Sequence, residues 1–492
     1  MKIYTHIKKL TCLFIIAILF GSTVSAIPVE FEEFSSTLYI EGDDLDPLVD
    51  IEVTVEIQQI RAFDKDDKQF SLIPLYPIFF KREYIDKESD PDFYVKVLIN
   101  NEESTSDTWH DTKYIYDPQF SATLDVPDDE EFVTVKIQLW DWNDNGDVLC
   151  DIGDEKDDIE LTYSIKNGHW TGDDQLEDPS GYGRLNGCDD GSIYRRDRDC
   201  ELWFDIYQND YDGDGIPYWT EVNEYGTDPE VSNIGEDSDN DDIPIEWEWK
   251  WGYDPFVWDD HEELDPEGDS IDNSEEYLTS EWFSDPFRND VFVELDIMDE
   301  GPNGEKSYFP VNSGELISTA FDRQNIVFHL DYGSMGGHDI IPFDDWIEWS
   351  NFNNIYYDFF LHGDENNWRR GVFHYGVVVY KSQGPAGYMF RPNAFQITSF
   401  GHENLVIEKP WADRDTVFGS AYMHELGHTF AFWPIPGHSR RPFSHFISGP
   451  YKSCMNYRYM YYTIDYSDGS RRLPDLDDWS RMDLTFFERE WG

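Results

Sequence analysis

The sequence predicts a multidomain chain: an N-terminal antiparallel β-sandwich, then a segment of repeated acidic loops, then a C-terminal α+β domain. Three observations carry that expectation. Between about residues 36 and 208, runs of alternating apolar and polar residues are broken by Asp, Asn, Gly and Pro clusters. Between Asp210 and Glu276 a twelve-residue acidic pattern occurs three times. From Asp290 onward, strand-like runs alternate with helical periodicity. A chain of 492 residues should divide in this way, because single cores stop growing at roughly 250–300 residues.

Residues 1–26 have the form of a secretory signal. Lys2, Lys8 and Lys9 precede an apolar run from Leu10 to Phe20, and Val24-Ser25-Ala26 suits a signal peptidase. The run falls short of the roughly 20 apolar residues of a spanning helix. A secreted, extracellular chain is expected, with an uncleaved anchor as the alternative. Cys12 leaves with the signal, and Cys150, Cys188, Cys200 and Cys454 remain. In an oxidising compartment Cys188 and Cys200, which flank a short loop, are the preferred pair.

The formal net charge is −67. Such an excess serves either as a solvated carboxylate surface or as clustered oxygen ligands for Ca2+. It repels nucleic acid and anionic membranes, so neither is expected as a direct partner.

In residues 27–208 the strand-like runs are LYIEG, VDIEVTVEIQQI, FYVKVLIN, FVTVKIQLWDW, IELTYSI and CELWFDIY. The stretches SDPDFYVKV (89–97) and LWDWNDN (139–145) resemble the acidic loops of C2 domains, which bind calcium at one end of a sandwich. The resemblance implies Asp64, Asp90, Asp141 and Asn143 as calcium ligands. Plain turn chemistry is the other reading of the same residues.

Residues 209–289 hold the repeat. Its copies are DYDGDGIPYWTE, DSDNDDIPIEWE and DPEGDSIDNSEE. Acids stand at positions 1, 3 and 5: Asp210, Asp212 and Asp214; Asp237, Asp239 and Asp241; Asp265, Glu267 and Asp269. Position 7 is Ile216, Ile243 or Ile271, and position 12 is Glu221, Glu248 or Glu276. This is the spacing of an EF-hand-type calcium loop, in which three side chains and one carbonyl wrap the ion and the last glutamate closes the shell. Each copy is followed by Thr-Asp-Pro, Tyr-Asp-Pro or Ser-Asp-Pro, and in this the segment resembles thrombospondin type 3 and dockerin-like repeats. The glycine at position 6 survives only as Gly215. Asp242 and Ser270 replace it, which predicts weaker or distorted second and third loops.

In residues 290–492, DVFVELDIMD, NIVFHLDYG and GVFHYGVVVY read as strands. VNSGELISTAFDR reads as an amphipathic helix opened by an Asn/Ser cap, and TVFGSAYMHELGHTFAF as a helix stopped near Pro434 and Pro436. On that second helix His424 and His428 stand one turn apart on one face, so both imidazoles can bind one ion, with Glu425 beside them. The segment HELGHTFAFWPIPGH (424–438), with SCMNY (453–457) downstream, resembles the HExxH helix and Met-turn of metzincin proteases. That resemblance implies a zincin fold, Zn2+ on His424, His428 and a third ligand, and a protein or peptide substrate. It further implies Glu425 as general base, Met455 as an apolar floor, and Tyr457 as a side chain that touches the metal or steadies the oxyanion. The family pattern HExxHxxGxxH is not kept, since Ala431 and Pro434 stand at the glycine and the last histidine. Ala431 is expected to make a glycine-type turn only with strain. Gly437-His438 repeats the turn and ligand later, which makes His438 the chosen third ligand. His445 and Asp465, Asp468, Asp475, Asp477 and Asp478 are the alternatives.

The expected function is a secreted, calcium-stabilised zinc endopeptidase. Its rivals are a non-enzymatic, calcium-dependent surface or adhesion protein with a lapsed protease domain, and a zinc hydrolase acting on something other than peptides.

Overall fold

The computed structural model describes residues 45–46, 48–63, 90–153, 156–173, 183–188, 198–439, 448–471, 473 and 475–489. The signal-like residues 1–26, the LYIEG run, Asp64 and His445 lie outside the described residues.

Ten strands build the first region: β1 (Glu52–Ala62), β2 (Phe93–Ile99), β3 (Glu102–Thr105), β4 (Tyr114–Asp125), β5 (Phe132–Asp141), β6 (Val148–Leu149), β7 (Ile159–Ser164), β8 (Trp170–Gly172), β9 (Gly183–Asn186) and β10 (Cys200–Gln208). They form two antiparallel sheets, β4-β1-β10-β9 and β3-β2-β5-β7-β8, with β6 paired to β5. Alternation puts Val53, Val55 and Ile57 of one sheet and Val95, Val97, Ile137 and Leu139 of the other into one core, which makes the region a β-sandwich. Strand β4 escaped the sequence reading because Pro118 interrupts it. Asp117 and Gln119 take positive φ (50° and 54°), and the β1–β4 register shifts between Ile57 and Gln59, so the proline is accommodated in a bulge. Cys188 and Cys200 are both buried where β9 meets β10, and Gly187 N–H donates to Cys200 O (3.0 Å).

Each acidic loop leads into a helical turn. The second and third lead into α1 (Ile245–Trp251) and α2 (Asn273–Thr279), whose first turns carry the position-12 glutamates Glu248 and Glu276.

The last region runs β11 (Asp290–Met298), α3 (Val311–Asp322), β12 (Val327–Asp331), β13 (Ile340–Ile341), β14 (Phe373–Val379), β15 (Gly387–Arg391), β16 (Ala394–Thr398), α4 (Ser399–Glu408) and α5 (Arg414–His428). The sheet order is β12-β11-β14-β16-β15, with β13 on β11. The expected α+β region is therefore a mostly parallel sheet whose edge strand β15 alone runs antiparallel, against β16. Parallel neighbours need crossovers, and α3 supplies the one between β11 and β12. Val291, Val293 and Leu295 of β11 pack with α3 and α5, whereas Phe292 faces the opposite layer with Phe352 and Phe360. The Asn/Ser cap expected for α3 is absent. Pro310 is its N-cap, and Asn312 and Ser313 instead donate to Asp415 Oδ2 (3.0 Å) and Asp415 O (2.8 Å), tying α3 to the start of α5.

Residues Asp44–Gly492 form one compact unit. A buried charge cluster joins the sandwich to α3: Arg61 pairs with Asp322 (3.0 Å), and Arg184 pairs with both Glu201 and Asp322. Charges this buried persist only when paired. No helix among the described residues is long and apolar enough to cross a membrane.

Candidate metal centre

Helix α5 starts on Asp413, whose side chain accepts from Thr416 N (3.0 Å), and its last two turns carry His424, Glu425 and His428. All three are buried. The helix stops at His428, well before the prolines, because the chain turns left-handed at Ala431 (φ 60°). Ala431 thus makes the glycine-type turn, with the strain a Cβ brings to that conformation. The residue holds the left-handed conformation while its N–H donates to His428 O (3.3 Å) and its carbonyl accepts from Trp433 N (2.7 Å).

A second left-handed residue, Gly437 (φ 79°), then turns the chain back. A Cβ at Gly437 would lie 2.1 Å from Asn456 Oδ1, so only glycine packs there. Asn456 is itself held by donating to Ser448 O (3.0 Å) and Tyr451 O (2.7 Å). The return brings His438 Nε2 to 3.3 Å from His424 Nε2. One ligand nitrogen from each of His424, His428 and His438 falls within 4.8 Å of the others. Ligands at 2.0–2.1 Å and tetrahedral angles stand about 3.3 Å apart, so the His424–His438 spacing suits two imidazoles sharing one zinc ion. The alternative aspartates have other work: Asp478 accepts from Tyr451 Oη (2.8 Å) and Asp465 pairs with Arg323 (3.3 Å).

The tautomer suits ligation too. His424 Nδ1 lies 2.8 Å from Cys454 O, and only an N–H can donate to a carbonyl. Nδ1 therefore carries the proton and Nε2 keeps its lone pair. Burial lowers all three histidines, His424 to about 3, so the imidazoles are neutral. His428 Nδ1 is buried without a hydrogen-bond partner among the described residues.

Met455 lies beneath this helix. A Cβ on Gly427, between the two histidines, would sit 2.5 Å from Met455 Sδ, 3.0 Å from Tyr466 and 3.1 Å from Phe432. Tyr457 stacks on the same group, its ring 4.2 Å from that of His438 and 5.6 Å from that of His424.

Two features were not foreseen. Gly387 opens edge strand β15, and a Cβ there would meet Glu425 Oε1 at 2.4 Å. The carboxylate thus rests against the backbone of an edge strand, and burial pushes it up to about 8. Trp433, half exposed, stacks on His428 at 4.7 Å. The run QGPAGYMF gave a weak turn-then-strand signal for the first, and nothing local marked the second.

The three acidic loops fold alike. The position-1 carboxylates Asp210, Asp237 and Asp265 accept from the position-6 N–H of Gly215 (2.7 Å), Asp242 (3.0 Å) and Ser270 (3.0 Å). Those residues have φ of 89°, 74° and 74°, so the distortion expected from losing the glycine is absent. The position-1 hydrogen bond holds the turn whether or not a Cβ is present. The position-5 carboxylates Asp214, Asp241 and Asp269 accept from Ile216, Ile243 and Ile271 N–H, whose side chains are core. Their second oxygens accept from chain further on, at Asn233 N (3.0 Å), Asp259 N (3.3 Å) and Asp290 N (2.6 Å). The last of these is the first residue of β11.

Asp210, Asp212, Asp214 and Glu221 converge, as do Asp237, Asp239 and Asp241, and Asp265, Glu267 and Asp269. Glu221, Glu248 and Glu276 are fully buried, and each keeps at least one oxygen without a partner among the described residues. Burial, with the neighbouring aspartates behind it, pushes Glu221 up to about 8. Buried, convergent, donor-poor oxygens are what a hard dication satisfies.

The sandwich loops are arranged differently. Asp141 accepts from Asp92 N (2.9 Å) and from the Asn143 side-chain amide (2.7 Å), while Asp90 lies 3.7 Å from Lys113 Nζ. Asn143 is thus a donor to Asp141 here, and the geometry is that of a hydrogen-bonded turn.

No known family profile and no curated relative matches the chain. Among solved structures the chain is similar to human GIVD cytosolic phospholipase A2, at 13% identity over 32% of this chain and 16% of that one, with a TM-score of 0.18. It is also similar to a C2 domain of a plant extended synaptotagmin 1, at 11% identity over 32% of this chain and 93% of that one (TM-score 0.20). A third likeness is to the calcium-bound pair of C2 domains of extended synaptotagmin 2, at 10% identity over 33% of this chain and 46% of that one (TM-score 0.19). At these scores the likenesses carry no functional weight, and the sandwich rests on its own two sheets.

Proposed function

We propose that the protein is a secreted zinc endopeptidase stabilised by calcium. The observation that carries this reading is the convergence of His424, His428 and His438, with Glu425 on the helix that bears the first two and two of the imidazole nitrogens 3.3 Å apart. Zinc held there would supply Lewis acidity and bring the pKa of bound water toward neutrality. Glu425 would accept a proton from attacking water and return it to the leaving amine. An extended peptide could add as a further strand to edge strand β15, whose Gly387 packs against Glu425. Tyr457 stands beside His438 to donate to the developing oxyanion.

The acidic loops are read as calcium sites, filled outside the cell even at modest affinity. The non-enzymatic rival drew on the irregular segment after His428. It loses that support now that His438 stands beside His424. Glu425→Gln is the test. Bound zinc should stay at the parent's level by metal analysis while cleavage of an unfolded protein falls by at least about 10³-fold; unchanged cleavage refutes the reading.

A further inference from the structure

The second acidic loop differs from the other two. In the first, the closing Glu221 joins an all-oxygen group with Asp210, Asp212 and Asp214. In the second, Glu248 groups instead with Asp241 and the imidazole of His261, and all three are buried. His261 Nε2 lies 3.2 Å from Asp241 Oδ2 and 3.8 Å from Glu248 Oε1, yet has no hydrogen-bond partner among the described residues. Both Glu248 oxygens also lack one. Trp247 and Tyr253 meet the imidazole edge-on at 5.9 and 5.1 Å, walling this side of the loop with aromatic surface.

The far nitrogen, Nδ1, is 3.0 Å from the Asn273 amide, whose Oδ1 is buried without a partner among the described residues. The two ends of an amide are interchangeable in shape. With the amide turned over, Oδ1 accepts from Nδ1–H, and Nε2 keeps its lone pair toward Asp241 and Glu248. That is the usual support of a metal-binding histidine. Calcium takes oxygen ligands, whereas imidazole with carboxylates suits zinc, manganese and their neighbours.

We infer that the second loop is a mixed nitrogen–oxygen site for a transition-metal dication of the zinc class, held by Asp241, Glu248 and His261, between two all-oxygen calcium loops. The inference rests on reading the acidic loops as cation sites.

The test uses the full mature chain carrying His424→Gln and His428→Gln, which removes the other zinc centre. It is exposed to zinc in millimolar calcium, dialysed, and analysed for both metals. One equivalent of zinc should remain, and His261→Gln should weaken its retention at least about tenfold while calcium at the other loops is unchanged. Zinc retained equally with His261→Gln, or no zinc retained, overturns the proposal. Should His261→Gln fail to fold, Co2+ in the two-histidine variant decides. A paramagnetically shifted, exchangeable imidazole N–H supports the site, and its absence refutes it. Three equivalents of calcium, indifferent to zinc, would refute this inference alone, whereas no calcium in any variant would refute the cation-loop reading beneath it.

Discussion

Gly427→Ala tests whether Met455 is fastened beneath the helix that carries His424 and His428. The added Cβ would stand 2.5 Å from Met455 Sδ, and the escape routes are closed by Tyr466 at 3.0 Å and Phe432 at 3.1 Å. Relaxed carbon contacts lie near 3.5–4.0 Å, so the sulfur must retreat by about 1 Å. It has little freedom to do so. Met455 N–H is held by Ser453 Oγ (3.1 Å), and Tyr466 is anchored through its hydroxyl to Met423 O (2.7 Å). Overpacking of this kind costs ~1–3 kcal/mol. Alanine returns ~1 kcal/mol through its better helix propensity. The expected net effect is a destabilisation of about 1 kcal/mol, and at most ~2. Because the strain falls between His424 and His428, zinc affinity should drop about tenfold, equivalent to ~1.4 kcal/mol. Urea unfolding followed by tryptophan fluorescence gives the first quantity, and competition with a chromophoric chelator the second. Met455→Ala alone should cost ~2–5 kcal/mol through its cavity. In the double variant the new methyl occupies that cavity, so the pair should cost less than the sum by ~1 kcal/mol or more. Gly427→Ala matching or exceeding the parent in stability, with unchanged zinc affinity and strict additivity, would refute the Met-turn reading.

Ala431→Gly should stabilise the folded chain by ~0.5–1 kcal/mol, because relief of ~1–2 kcal/mol at φ 60° exceeds the added entropy of the unfolded chain. A lower unfolding midpoint would show that the left-handed turn is not retained. Stripping calcium with a chelator selective over zinc should lower stability by ~2.7 kcal/mol for each loop held at 100 times its Kd. It should also speed amide exchange at β11, which the third loop grips through Asp269 and Asp290 N; equal exchange with and without calcium would count against that grip. Burial pushes Asp478 up to about 6, above the ordinary aspartate value. The folded chain therefore binds this proton more tightly than the unfolded chain, and the stability it lends below pH ~4 is lost as pH rises through about 6. Relative to Asp478→Asn, the parent should lose up to ~3 kcal/mol between pH 4 and 7; a pH-independent difference refutes the assignment.

Much of this was legible in one dimension, because the signals were local. Alternation along β1, β2, β5, β7 and β10 marked the sandwich. The positions of acids and glutamates marked three loops that fold alike, and the i, i+4 spacing placed His424 and His428 on one face. Where the reading failed, a specific contact or bulge had overridden a residue-type rule. Pro118 sits in a bulge of β4, Asp242 and Ser270 turn left-handed because Asp237 and Asp265 hold their N–H groups, and α3 begins at Pro310 rather than on a polar cap.

By itself, then, the sequence determined which residue types could hold a cation and at what spacing along the chain. Only the tertiary structure decided how they combine. His438 reaches His424 because Gly437 packs on Asn456, in the segment that also carries Met455. Gly387 brings an edge strand against Glu425. His261, well beyond Glu248 in the chain, joins Asp241 and Glu248 in one repeat of three. Each of these is a contact between segments that no periodicity links, fixed by packing and by the need of buried polar groups for partners.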